Sequence, residues 1–155
     1  MAMWRMAFRM GVNGDEMWPH CWSLGVAAIT YAPLAEVDLS QHEPYEPKEL
    51  WDKLRSAQKS SLGAVAYEMK EGDTIYVKEG PKIVRKGAVL GPYQFDRELR
   101  IVDGNGLPWA HQVPVKWDPY FLAVKVLLGS ELSTVKRMTE ADLELIKVAA
   151  HGVAY

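Results

Sequence analysis

Residues 74–90 read TIYVKEGPKIVRKGAVL, two runs rich in β-branched residues joined by Glu79-Gly80-Pro81-Lys82. So short a glycine-containing connection returns the chain antiparallel to itself, as a hairpin. The pattern predicts strands over 74–78 and 83–90. A local hairpin is incompatible with a regular doubly wound fold, where a crossover helix follows every strand.

The other elements read around that hairpin. Trp4, Met6, Phe8 and Met10 alternate with Arg5, Ala7 and Arg9, the period-two signature of a strand over 3–10. Asp15 is placed to cap a helix carrying Trp18, Cys21, Trp22 and Leu24, with Pro19 early and Gly25 at its end. Val26–Tyr31 reads as a buried strand. Pro47 opens a helix through Leu50, Trp51 and Leu54, and a second helical stretch covers 57–69. Glu71-Gly72-Asp73 is a turn. A short strand is expected over 99–102, a turn at Asp103-Gly104-Asn105-Gly106, and a strand over 112–117. Thr139 with Asp142 resembles a capping box opening a C-terminal helix. The order is strand, helix, strand, helix pair, then hairpin-linked strands. It predicts an α+β fold, a small curved sheet or barrel with helices outside it.

A chain of 155 residues suits one domain over 1–155. Its single cysteine cannot form an internal disulfide. No stretch approaches the ~20 apolar residues of a membrane span. Arg5 and Arg9 interrupt the N-terminal segment, which does not read as a signal peptide. A cytoplasmic protein with no membrane association is expected. Net charge is −2, yet charge is unevenly distributed. Residues 31–50 carry five acids and one base, whereas residues 53–86 carry eight bases and four acids. A local positive face binds phosphates even on a slightly acidic molecule.

Catalytic signatures are weak. His20, His42, His111 and His151 stand at no metal-ligand spacing with one another or with Cys21, the adjacent His20-Cys21 apart. Cys21 lies on an apolar helix, where a small core residue is the simpler reading. There is no GxxxxGK[ST] phosphate loop and no GxSxG elbow. Asp38 and Asp73 sit beside turns, where Asp is favoured for backbone reasons. No enzyme activity, metal or cofactor is expected. The constellation left is aromatic and basic, because the chain has six Trp. Flat rings stack on an unstacked base, and cations hold its phosphates. Trp4, Trp51 and Trp117 read as core, whereas Trp18, Trp22, Tyr31 and Trp109 lie near element ends or in loops.

The order of motifs resembles the PUA-like superfamily that includes EVE and YTH domains. The likeness rests on GVAAITY (25–31) after a Trp-bearing helix, an acidic loop ending DLS (38–40), and AYEMKEGDTIYVKEGPKIVRKGAVLGPYQFD (66–96). Met69-Lys70-Glu71-Gly72-Asp73 is similar to the EVE turn that introduces a hairpin. Pro108–Trp117 resembles the YTH stretch in which a tryptophan walls a methyl-base cage. The nearest likeness is to the N-terminal DNA-recognition domain of McrB-type modification-dependent restriction systems, and it spans most of residues 3–120.

That resemblance implies a PUA-like curved sheet and a domain that flips a methylated base, 6-methyladenine or 5-methylcytosine, out of duplex DNA. It places one cage wall at Trp109. A second wall departs from the pattern, because Val26-Ala27-Ala28 stands where YTH domains carry a cage tryptophan. Tyr31, Trp22 and Trp18 are its candidates, with Asn13 as a polar contact on the base edge. Arg5, Arg9, Lys59, Lys82, Arg85 and Lys86 are the candidate phosphate contacts. A separate GTP-driven motor and a nuclease are the partners implied. A PUA-type RNA-binding module, a nucleotide-binding domain and a protein-interaction domain with a Trp-rich patch are the competing expectations.

Overall fold

The hairpin is present in the computed structural model, which describes residues 1–7, 17–126, 128 and 134–152. Strands β3 (Thr74–Glu79) and β4 (Lys82–Val89) pair antiparallel, and Gly80 turns between them at φ 57°. The other described strands are β1 (Met3–Met6), β2 (Val26–Ile29), β5 (Gln94–Phe95), β6 (His111–Trp117), β7 (Val124–Lys125) and β8 (Val135–Arg137). Helices α1 (Met17–Leu24), α2 (Lys48–Trp51), α3 (Ser56–Gly63) and α4 (Glu140–Gly152) flank them.

The strands form one sheet in the order β2-β6-β4-β3-β1-β8, with β5 also on β6 and β7 also on β4. The β1–β3 pair is parallel and the others are antiparallel. The result is a mixed α+β fold whose sheet curls strongly into a half-barrel. Among the described residues no helix is long and apolar enough to cross a membrane.

Local chemistry accounts for the ends of the elements. Gly25 leaves α1 at φ 65°, where a side chain would be strained. Thr139 and Asp142 make a reciprocal box at the start of α4: each backbone N–H donates to the other's side chain, at 3.1 Å in both directions. Asp38 accepts from the backbone of Ser40 at 3.0 Å, which makes it a turn cap. The expected helix over 57–69 is instead α3 followed by a wider turn of helix, Ala64–Glu68. The expected strand at 99–102 is reduced to a single bridge between Val102 and Pro108.

Two apolar clusters lie on opposite faces of the curled sheet. Trp4, Ile75, Val77, Val89, Val115 and Trp117 belong to the larger, which α1 covers, while Ile83, Val124, Val126, Met138 and Ile146 form the smaller beneath α4. A cross-strand row shows how tightly the larger one is packed. Trp4 stands opposite Ile75, Ile75 opposite Gly87, and Gly87 opposite Trp117. A Cβ at Gly87 would come within 2.6 Å of Trp117 Cε3 and would collide with Val115 Cγ1. The Trp117 ring therefore lies in the space that a side chain at 87 would take.

A buried histidine fastens the acidic segment to the sheet. The Tyr93 hydroxyl accepts from Leu39 N at 3.3 Å and meets His111 Nδ1 at 2.7 Å. His111 Nε2 lies 2.7 Å from the Leu34 carbonyl. The two contacts fit one neutral tautomer: the tyrosine donates to Nδ1, and Nε2–H donates to Leu34. Burial lowers the His111 pKa, against the opposing pull of the Leu34 carbonyl and Asp38.

Two outcomes follow for stability. Gly87→Ala should cost about 1–3 kcal/mol in urea unfolding, because neither Trp117 nor Val115 can withdraw freely. The pKa of His111 is lower folded than unfolded, so the unfolded chain binds the extra proton. Its stabilising contribution is complete above about pH 6.5 and is lost as pH falls from there toward the folded pKa. A His111→Gln chain should lose that part of the pH dependence of the urea midpoint.

Candidate functional site

Helix α1 turns two stripes toward the molecule. Met17 and Cys21, one turn apart, enter the core. Trp18 and Trp22 are the neighbouring stripe, with ring centroids 5.8 Å apart. Trp18 is half-buried and meets Trp117 edge-to-face at 4.7 Å and 72°. Trp117 in turn donates its indole N–H to the Cys21 carbonyl at 3.2 Å, tying β6 to α1. Trp22, at the outer end of this stack, is 41% exposed.

Strand β4 supplies a cation to the same place. The Arg85 guanidinium carbon lies 5.6 Å from the Trp18 ring centroid and 5.9 Å from that of Trp22. Both distances are within cation–π range. Arg85 Nη1 also donates to the Val84 carbonyl at 3.1 Å. Trp18, Pro19, Trp22 and Arg85 line an open hollow of about 290 Å³. That is just below the ~300–1,000 Å³ of ordinary small-molecule pockets. It has room for a single flat ring system.

Three residues expected at a site thus come together: Trp18, Trp22 and Arg85. The others do not join them. Trp109 is 1% exposed and belongs to the core. Its indole N–H donates to Asp103 at 3.1 Å, and Asp103 also accepts from the backbone of Asn105 and Leu107. Burial raises the Asp103 pKa, but these donors outweigh it and hold the carboxyl below its usual value. The expectation of Trp109 as a pocket wall is corrected: the ring is part of the core, and its indole N–H is tied to Asp103 at the start of the 103–106 turn. Tyr31 lies at the far end of β2 from α1, half-buried, with its hydroxyl 3.4 Å from Thr134 Oγ1.

The basic residues divide between the two sheet faces. Val135, Met6, Val77 and Arg85 make one cross-strand row, whereas Lys136, Arg5, Tyr76 and Lys86 make the next, which points the opposite way. The Lys86 ammonium accordingly lies 5.7 Å from the Tyr76 ring centroid. Arg5 is buried in that same row. Lys59 sits on α3, 3.8 Å from Asp52. Lys82 is exposed at the β3–β4 turn. The candidate phosphate contacts do not form one patch, because strand alternation separates Arg5 and Lys86 from Arg85. Arg9 and Asn13 lie outside the described residues.

Sequence reasoning treated Trp117 as core, which it is, and missed its second role as the support beneath Trp18. Nothing in the local pattern signals a contact between positions 18 and 117. Cys21 is fully buried, and burial pushes its thiol up to about 12, so it stays protonated near neutral pH. Among the described residues no group of three His, Cys, Asp or Glu is placed to hold a metal ion.

The fold and hollow define a small α+β domain with an aromatic and cationic surface depression. Residues 4–139 match the family described as Domain of unknown function (DUF8426), and the chain belongs to that family. No curated protein matches the chain. A similar solved structure is the NMR structure of Rpa0253 from Rhodopseudomonas palustris, a Northeast Structural Genomics Consortium target. It is 17% identical, with 97% of this chain and 94% of that chain covered and a TM-score of 0.47.

Trp109→Phe should lower stability by about 1–2 kcal/mol through the lost Asp103 bond and the smaller ring. It should leave ligand binding at the α1 hollow unchanged. A binding loss without a stability loss would return Trp109 to the site.

Proposed function

We propose that this is a nucleic-acid-binding domain of the PUA-like type that takes one unstacked base onto the outer face of Trp22, beside Trp18 and Arg85. The observation that carries this reading is an indole left 41% exposed at the edge of a hollow that also holds a guanidinium. Burying apolar area lowers free energy, so an exposed indole on a rigid support is a surface with binding energy in reserve. The support is rigid because Trp22 leans on Trp18, Trp18 on Trp117, and Trp117 on the strand backbone at Gly87. Such a platform accepts any base, since every base has a π-face.

The domain binds without doing chemistry on the base. The ligand class suggested by resemblance is DNA carrying 6-methyladenine or 5-methylcytosine, read for a McrB-type motor and nuclease. With Trp109 buried, the described hollow has no closed cage. A methyl group on an open platform is only partly desolvated, and full burial of one such group is worth about 0.8 kcal/mol. The preference for a methylated base should then be at most about fourfold.

Trp22→Ala should weaken oligonucleotide binding by about 1–3 kcal/mol, the value of one stacked base, without unfolding the chain. Fluorescence anisotropy with matched DNA and RNA probes, with and without one methylated base, measures this. Unchanged affinity in the variant would end the proposal. Tighter binding of RNA than of DNA would move it to an RNA-binding module.

A further inference from the structure

The hollow has a cationic extension on the same face of the sheet, created by an irregularity in β4. Val77 stands opposite Arg85, but the next residue of β3, Lys78, stands opposite Ile83. Val84 is therefore an extra residue, a β-bulge, and it reverses the facing of everything before it in β4. Ile83 and its partner Val124 pack in the smaller cluster beneath α4. Lys82 and its partner Lys125 then face the opposite way, toward the side of Val77 and Arg85. Were Val84 in regular alternation, Lys82 would point to the α4 side.

Distance along the strand follows from the same register. Lys82 stands opposite Glu79, two residues beyond Val77, which stands opposite Arg85. The two lysines therefore lie about 7 Å beyond Arg85 along the strand. That is the scale of one step along an extended nucleic-acid strand. Lys82 and Lys125 are both exposed and directly opposed, which costs energy between like charges, and Glu79 on the other side of Lys82 in the same row offsets only one of the two. Neither has a carboxylate within 4 Å among the described residues. An arriving anion relieves that repulsion.

Resting on the nucleic-acid reading above, we infer that the ligand is a single strand of two or more nucleotides. One base stacks on Trp22, Arg85 holds the phosphate beside it, and the Lys82–Lys125 pair holds the next. A single strand offers base and phosphate together, without the few kcal/mol that extruding a base from a duplex requires. Lys125 thereby joins the site, and Lys86, its sequence neighbour Arg85 notwithstanding, does not.

The test is the salt dependence of binding by the full chain to a labelled oligothymidylate of about 12 nucleotides. Each lost phosphate contact to a single strand should reduce the slope of log K against log salt by about 0.7. The double variant Lys82→Ala, Lys125→Ala, which removes the one phosphate contact that the pair makes, should lose about 0.7 of slope, whereas Lys86→Ala should leave the slope unchanged. Trp22→Ala should weaken binding with the slope intact. If Trp22 matters but the lysine double variant keeps its slope, the path is wrong and the stacking site stands. If the lysines matter and Trp22 does not, the stacking reading fails. Duplex binding as tight as single-strand binding overturns the single-strand assignment, and equal competition by polyglutamate overturns nucleic acid as the ligand.

Discussion

The contact between Gly87 and the ring of Trp117 governs the rest of the arrangement. A strand residue with no side chain leaves room for an indole from the neighbouring strand in the space its Cβ would take. That indole is then fixed from below by β4 and from the side by its bond to the Cys21 carbonyl. Trp18 meets it edge-on, and α1 is thereby held at one height above the sheet. Dispersion within such a stack is small for any atom pair and large in sum. The exposed face of Trp22 is the end of this chain of contacts.

The sheet sorts the cations as well as the apolar residues. Arg85 and Lys86 are adjacent in sequence, yet one lies against indoles and the other against Tyr76 on the opposite face. A cluster of basic letters in a strand is thus two half-clusters in space. Net charge conveys nothing of this, because −2 describes the whole molecule. What sets the local field is strand phase, and the Val84 bulge resets that phase once, just after the turn.

Much of the fold was legible because it rests on local rules. The β3–β4 hairpin, the Gly25 stop and the Thr139–Asp142 box each depend on residues a few positions apart. Trp18 and Trp22 were legible as a pair for the same reason, being one helical turn apart. What could not be read depends on distant partners. β5 and β7 are two residues each and carry too little pattern to announce themselves. The parallel pairing of β1 with β3 joins residues some 70 positions apart. Trp109 looked exposed because Pro108 precedes it and a glycine-rich turn lies just upstream. That same turn presents the Asp103 carboxylate to its indole N–H.

The extra residue in β4 makes this strand tolerant of a change in its own length. A substitution at Val84 changes one half-buried side chain, and removing the position would leave Ile83 opposite Lys78 and Lys82 opposite Glu79 in regular alternation. Ile83 would stay in the apolar layer beneath α4 and Lys82 on the Arg85 side, while the local bend and added twist of the bulge were lost. A one-residue deletion at this position therefore straightens the hairpin without exchanging its two surfaces.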